Sequence, residues 1–128
     1  FKSRTQPIKT GVPQGSILGP VLFLYYINDI VRLCENCNFI IYSDDCTLFF
    51  TGKDFSTLEA LAANTCYKLR EWSTKNNLML NESKTKCVLF RALGISLHVP
   101  NYVTLGPYKI AVTKSIKTLG VVFNEHIS

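Results

Sequence analysis

The stretch FIIYSDDCTLFF, Phe39 to Phe50, holds two adjacent carboxylates, Asp44 and Asp45, between apolar, strand-prone runs. Like charges about 4 Å apart cost about 1 kcal/mol in water and about 4 kcal/mol at an effective dielectric near 20. An acidic turn is tolerable on a surface, because aspartate bonds nearby backbone and accepts left-handed geometry. Held rigidly at the rim of packed strands, the same pair suits another task. Mg2+ is a hard cation that takes oxygen ligands, keeps several waters and is often completed by substrate phosphates. A divalent ion also cancels the repulsion between the carboxylates. Paired ions of this kind drive in-line displacement at phosphorus.

The elements that must position this pair are readable around it. Phe39–Ser43 and Cys46–Thr51 read as strands joined at Asp44-Asp45, and both are expected to be covered. Upstream, GVPQGSILGP (11–20) is a loop that opens into VLFLYYINDIVRLC, which reads as a helix. Pro20 suits its first turn, where the missing N–H has no partner to lose. This helix is apolar nearly all round, so burial on more than one face is expected. Downstream, STLE (56–59) is a capping-box pattern. Leu58, Leu61, Thr65, Leu69 and Trp72 follow at helical spacing and predict an amphipathic helix to about Lys75. Leu78–Leu80 and Thr85–Phe90 are short strand candidates around NESK. Tyr102–Leu105 and Tyr108–Val112 flank a Gly-Pro turn as a hairpin, and Ile116–Phe123 is a last strand. This order, without simple strand–helix alternation, predicts an α+β fold.

The chain has 128 residues, 47% hydrophobic and 18% charged, enough for a real core and unlike a disordered tail. A net charge of +5 is compatible with a nucleic-acid partner without establishing one. Five cysteines, an odd count, suggest reduced thiols in an intracellular protein of the nucleus or cytoplasm. CENC (34–37) has the spacing of half a zinc site, but no second pair follows and His98 and His126 stand apart. The apolar run Ile17 to Ile27 is too short to cross a bilayer, so no membrane partner is expected. FKSRTQPIKT begins without an initiator Met and reads as a piece of something longer.

Together GVPQGSILGPVLFLYYINDI, YSDD, NNLMLNESKTKCVLF and SIKTLGVVF resemble, in order, the palm of reverse transcriptases, most closely those of non-LTR retrotransposons. The resemblance implies a polymerase palm-like antiparallel sheet with two packed helices, followed by a small hairpin or strand segment that grips the primer. On this reading residues 1–128 are one partial reverse transcriptase domain without an internal boundary. The implied activity is RNA-directed DNA synthesis: two-metal nucleotidyl transfer from a dNTP to a primer 3′-hydroxyl. The implied cofactor is Mg2+ as two ions, with Mn2+ a possible substitute. Asp44 and Asp45 would be metal ligands, Asp44 the more direct. Tyr42 would lie near the primer terminus, and Gln14 and Gly15 beside the template base and nucleotide. Lys84 would protonate the departing pyrophosphate. Leu119 and Gly120 would touch the primer strand. RNA template, DNA primer and dNTP are the implied partners, with the remainder of the parent polypeptide supplying the fingers and another palm strand bearing a third carboxylate. The family usually has Ala where Ser43 stands and Thr where Cys46 stands. Two other readings are a non-catalytic remnant or nucleic-acid-binding module of palm shape, and a generic Mg2+ phosphatase with an acidic turn.

Overall fold

A computed structural model of the protein describes residues 11–12, 15–33, 35–92, 94 and 98–126. The chain divides into two compact units, Phe1–Phe49 and Phe50–Ser128. Its elements are helical and strand-like in an α+β order, as the sequence pattern predicts.

In the first unit, helix α1 (Gly19–Ile27) runs into a 3-10 turn, Asn28–Leu33. Ser16 begins it: its Oγ accepts the Gly19 N–H at 3.0 Å, satisfying one of the donors that a helix start leaves orphaned. The α-helix stops at Asn28, a weak helix former. Expected burial on more than one face is corrected. Ile27 and Ile30 are the buried apolar side chains, whereas Val21, Leu22, Leu24 and Tyr25 lie more than half exposed. A helix apolar all round needs cover on every side. Beyond it, the described residues of this unit supply a single two-stranded ribbon, β1 (Asn38–Tyr42) and β2 (Asp45–Phe49).

In the second unit, helix α2 (Phe55–Lys75) is capped by Asp54 and not by the predicted capping box at Ser56. Asp54 Oδ1 accepts the Thr57 N–H at 2.8 Å and Oδ2 accepts the Thr57 hydroxyl at 2.9 Å. These bonds, the backbone one foremost, hold the Asp54 carboxyl below its ordinary pKa. The helix ends where Asn77 takes φ 51°. The Leu78 N–H then reaches back to the Ser73 carbonyl at 2.8 Å and the Asn77 N–H to Thr74 at 3.2 Å, a Schellman closure. Leu78–Leu80 form no strand, and of the predicted 85–90 strand Lys86–Cys87 (β3) pairs.

The hairpin β4 (Tyr102–Leu105) and β5 (Tyr108–Val112) has the predicted bounds. It pairs antiparallel, and β3 joins β5 in parallel, giving the order β3-β5-β4. Along β4 burial alternates with period two, so Val103 and Leu105 join Ile110 as a core. Ala62, Ala63 and Cys66 of α2 pack on it, and their small side chains let helix and sheet approach closely. At the β4–β5 turn Gly106 has φ 61°, and a Cβ there would lie 3.7 Å from the Ala63 carbonyl and 3.8 Å from Tyr67. The predicted last strand is instead a second hairpin, β6 (Ser115–Thr118) and β7 (Val121–Asn124), turning at Leu119-Gly120. Among the described residues no helix is long and apolar enough to cross a membrane.

Ile110 is 3% exposed at the middle of the sheet. Ile110→Ala is expected to destabilise the second unit by about 2–5 kcal/mol, read as a lower urea midpoint. For Asp54 the folded pKa is depressed, so its capping contribution is complete above the unfolded aspartate value, about 4, and is lost as pH falls through the lower folded value. Asp54→Ala should lower α2 stability at neutral pH and flatten its acid dependence, measured by circular dichroism on pH titration.

Candidate active site

The carboxylate pair sits at the end of the β1–β2 ribbon, and its register is Tyr42↔Asp45, Ile41↔Cys46, Ile40↔Thr47 and Phe39↔Leu48. The turn is therefore Ser43-Asp44, one residue earlier than the predicted Asp44-Asp45 junction. Ser43 has φ 55° while Asp44 stays at negative φ, the pattern of a type II′ turn. Such turns match the right-handed twist of the flanking strands. The consequence is a division between the two acids. Asp44 occupies the turn, whereas Asp45 begins β2 and is locked into the ladder opposite Tyr42.

Directly opposed residues share one face of a ribbon, so Tyr42, Asp45 and Ile40 stand together. This face is open: Tyr42 is 63% exposed and Ile40 is 52% exposed. The expected cover on both flanks is thus corrected. On the opposite face Phe39, Ile41 and Leu48 are half-buried; on the open face Thr47, opposite Ile40, is half-buried as well. Among the described residues neither Asp44 nor Asp45 enters an ion pair. The Cys46 residue is exposed overall, yet partial burial of its sulfur and the charges of Asp45 and Asp44 raise its thiol pKa. Two solvent-facing carboxylates, hard oxygen donors without a protein cation among the described residues, fit a divalent ion. Among those same residues no three His, Cys, Asp or Glu side chains come together to hold a metal.

Gln14 lies outside the described residues. Gly15 has φ 80°, and a Cβ added to it would meet nothing within 4 Å. The glycine thus serves a left-handed backbone, and none of the described residues fills the space where a Cβ would point.

Lys84 belongs to the second unit, in the 3-10 turn Glu82–Lys84. The turn is tied by side chains. Asn81 Oδ1 accepts the Lys84 N–H at 3.2 Å and the Ser83 hydroxyl at 2.8 Å. The Asn81 carbonyl accepts the Thr85 hydroxyl at 2.8 Å. Glu82 Oε1 accepts the Lys109 N–H of β5 at 3.1 Å. Lys109 precedes the point where β3 begins to pair, so the carboxylate satisfies a strand donor that β3 does not reach. Glu82 and Ser16 are positioning residues that sequence reasoning missed. Ser16, three residues before the helical Gly19, was the legible signal; nothing local announced the Glu82 contact.

Leu119 and Gly120 form the β6–β7 turn with φ 51° and 84°. Gly120 is therefore a turn glycine and not the predicted mid-strand one. Positive φ at both central positions defines a type I′ turn, normally built from Asn-Gly. Leucine there is strained by about 1–2 kcal/mol, and its side chain is 56% exposed.

Residues 1–123 match the family described as reverse transcriptase (RNA-dependent DNA polymerase). The chain belongs to that family. This reverse transcriptase segment is 25% identical over 123 residues to a Pol polyprotein from the type-1 retrotransposable element R1 of Bradysia coprophila, covering 94% of the chain and 12% of the relative. It is 25% identical over 126 residues to a probable RNA-directed DNA polymerase from the X-element of Drosophila melanogaster, covering 94% of the chain and 13% of that protein. Against the RNA-directed DNA polymerase from the Drosophila melanogaster element jockey it is 27% identical over 97 residues, 70% of the chain and 11% of that protein. The reverse transcriptase segment thus spans about an eighth of the length of the first two relatives. No solved structure matches it.

Replacing Leu119 by Asn suits the αL conformation and should raise the melting temperature of the second unit by a few degrees, the scale of about 1 kcal/mol. If Leu119 is kept for contact with a primer strand, the same Leu119→Asn variant of the whole protein should show a raised KM for primer.

Proposed function

We propose that the chain is the catalytic-hairpin segment of an RNA-directed DNA polymerase, arranged in the whole protein as a polymerase palm. The observation that carries this reading is the exposed tip on which Asp44 and Asp45 stand beside Tyr42, in a chain matched to reverse transcriptases over residues 1–123.

Each residue has a task that its own chemistry supports. Asp44 and Asp45 present fixed negative charge where a triphosphate and a 3′-hydroxyl would meet, with a third carboxylate contributed from elsewhere in the polypeptide. Two Mg2+ ions, for which Mn2+ could substitute, would supply activation of the hydroxyl and neutralisation of phosphate charge when bound. Tyr42 offers a flat, exposed ring on the same face as Asp45 for the terminal primer base pair. Gly15, and Gln14 beside it, line the template and nucleotide side, the glycine through its open backbone. Lys84, held in its turn by Asn81 and anchored through Glu82, donates a proton to the departing pyrophosphate. Leu119 on the strained β6–β7 turn presses on the primer strand. Sequence is read by base pairing, so the protein recognises backbone and duplex shape.

The test is primer extension on an RNA template by the protein expressed over its whole reading frame. Asp44→Asn with Asp45→Asn should lower incorporation at least about 100-fold, the scale of removing a preorganised electrostatic stabiliser. Lys84→Ala should lower kcat by about 100- to 10,000-fold, with Lys84→Arg intermediate. The 128-residue chain alone is expected not to extend the primer. Intact synthesis by the double asparagine variant would overturn the assignment, and synthesis absent from the unaltered protein would favour a non-catalytic remnant.

A further inference from the structure

We propose that the outward face of the β3-β5-β4 sheet is a second nucleic-acid contact, a platform for a single strand of RNA or DNA. One face of this sheet is closed, because Val103, Leu105 and Ile110 form the core on which α2 packs, with Cys87 beside them. Residues alternating with these point the other way. They are Lys86 on β3, Tyr102 and Thr104 on β4, and Lys109 and Ala111 on β5. The register brings them together: Ala111 pairs with Lys86 on one side and with Tyr102 on the other, and Lys109 pairs with Thr104.

The chemistry of that face is selective. None of its outward strand positions is acidic, and Lys86, Lys109, Tyr102 and Thr104 are all exposed. At the edge of the sheet the Glu82 carboxylate accepts the Lys109 backbone N–H at 3.1 Å. Opposite Tyr102 stands only the small Ala111, so the ring leans diagonally toward Lys109, whose Nζ lies 4.7 Å from the ring centroid. The ammonium orients the ring, and the residue remains 54% exposed. An aromatic oriented by Lys109 on one ring face, with Lys86 two strands away across Ala111, fits a phosphate backbone crossing the sheet with an unpaired base stacked on the ring face that Lys109 leaves free. An acidic peptide would pair with the lysines but gain little from the ring. The proposal deepens the polymerase reading and rests on it for the supply of such a strand.

The test measures binding of fluorescein-labelled single-stranded RNA, single-stranded DNA and an RNA–DNA hybrid by anisotropy across a salt series, with the protein at its whole reading-frame length. Lys86→Gln with Lys109→Gln keeps the aliphatic stems and should reduce the salt slope for single strands by about 1.4, or about 0.7 for each phosphate no longer neutralised. Tyr102→Ala should weaken single-strand binding by about 5- to 150-fold, and Tyr102→Phe should retain it, because stacking needs the ring and not the hydroxyl. The RNA and DNA arms show which strand the face prefers. An unchanged salt slope in the double glutamine variant, or equal loss in Tyr102→Phe and Tyr102→Ala, overturns the proposal. The Asp44→Asn, Asp45→Asn protein separates the two readings. It should fail to extend primers; if it extends them, the catalytic assignment falls and the salt slopes of the Lys86→Gln, Lys109→Gln protein still judge the sheet.

Discussion

The backbone at Ser43 sets everything at the tip. Its positive φ closes β1 onto β2 in a two-residue turn, and that closure fixes which residues oppose each other. A ribbon has a side-chain period of two, so a slip by one position would move Tyr42 and every neighbour to the other face. The turn therefore does more than reverse the chain. It assigns Asp44 to a loop position and Asp45 to a ladder position, and aligns Tyr42 with the second. A small residue at Ser43 limits the cost of this turn, since a β-branched or bulky side chain at positive φ is strained.

The second unit solves a different problem, that of a sheet whose third strand is two residues long. At one end the carbonyl of Cys87, the last residue of β3, accepts the N–H of Thr113, just past β5, at 2.8 Å. At the other, before β3 begins, β5 has a donor that β3 does not reach, and the Glu82 carboxylate accepts that Lys109 N–H at 3.1 Å. A side chain thus continues a backbone ladder. This arrangement ties the lysine-bearing turn at 82–84 to the rigid centre of the sheet, so Lys84 inherits its position from core packing through one hydrogen bond.

The sequence made the long and periodic features legible. Helix α2 and the β4–β5 hairpin were readable because their burial repeats at 3.6 and at 2 residues, and the acidic tip because charge interrupts an apolar run. Where the reading failed, a local contact overrode pattern. Asp54 displaced Ser56 as cap because its carboxylate takes both the N–H and the hydroxyl of Thr57. The strand expected at 116–123 folds back because Leu119 accepts a conformation that leucine ordinarily avoids, which no propensity argument anticipates. Helix α1 misled in a further way: an apolar surface all round says that cover is needed without saying which residues supply it.

The exposed apolar side chains of that same helix respond to ionic surroundings in the sense opposite to lysine–phosphate contacts. Phosphate contacts made by lysines weaken as salt releases their counterion advantage. Apolar surfaces such as Val21, Leu24 and Tyr25 are driven together more strongly by sulfate or phosphate salts and on warming from low temperature. For the proposed strand-binding face, cold, low-salt buffers would favour chains that hold a strand, while warm, strongly salting-out buffers would favour apolar contact and release of the strand.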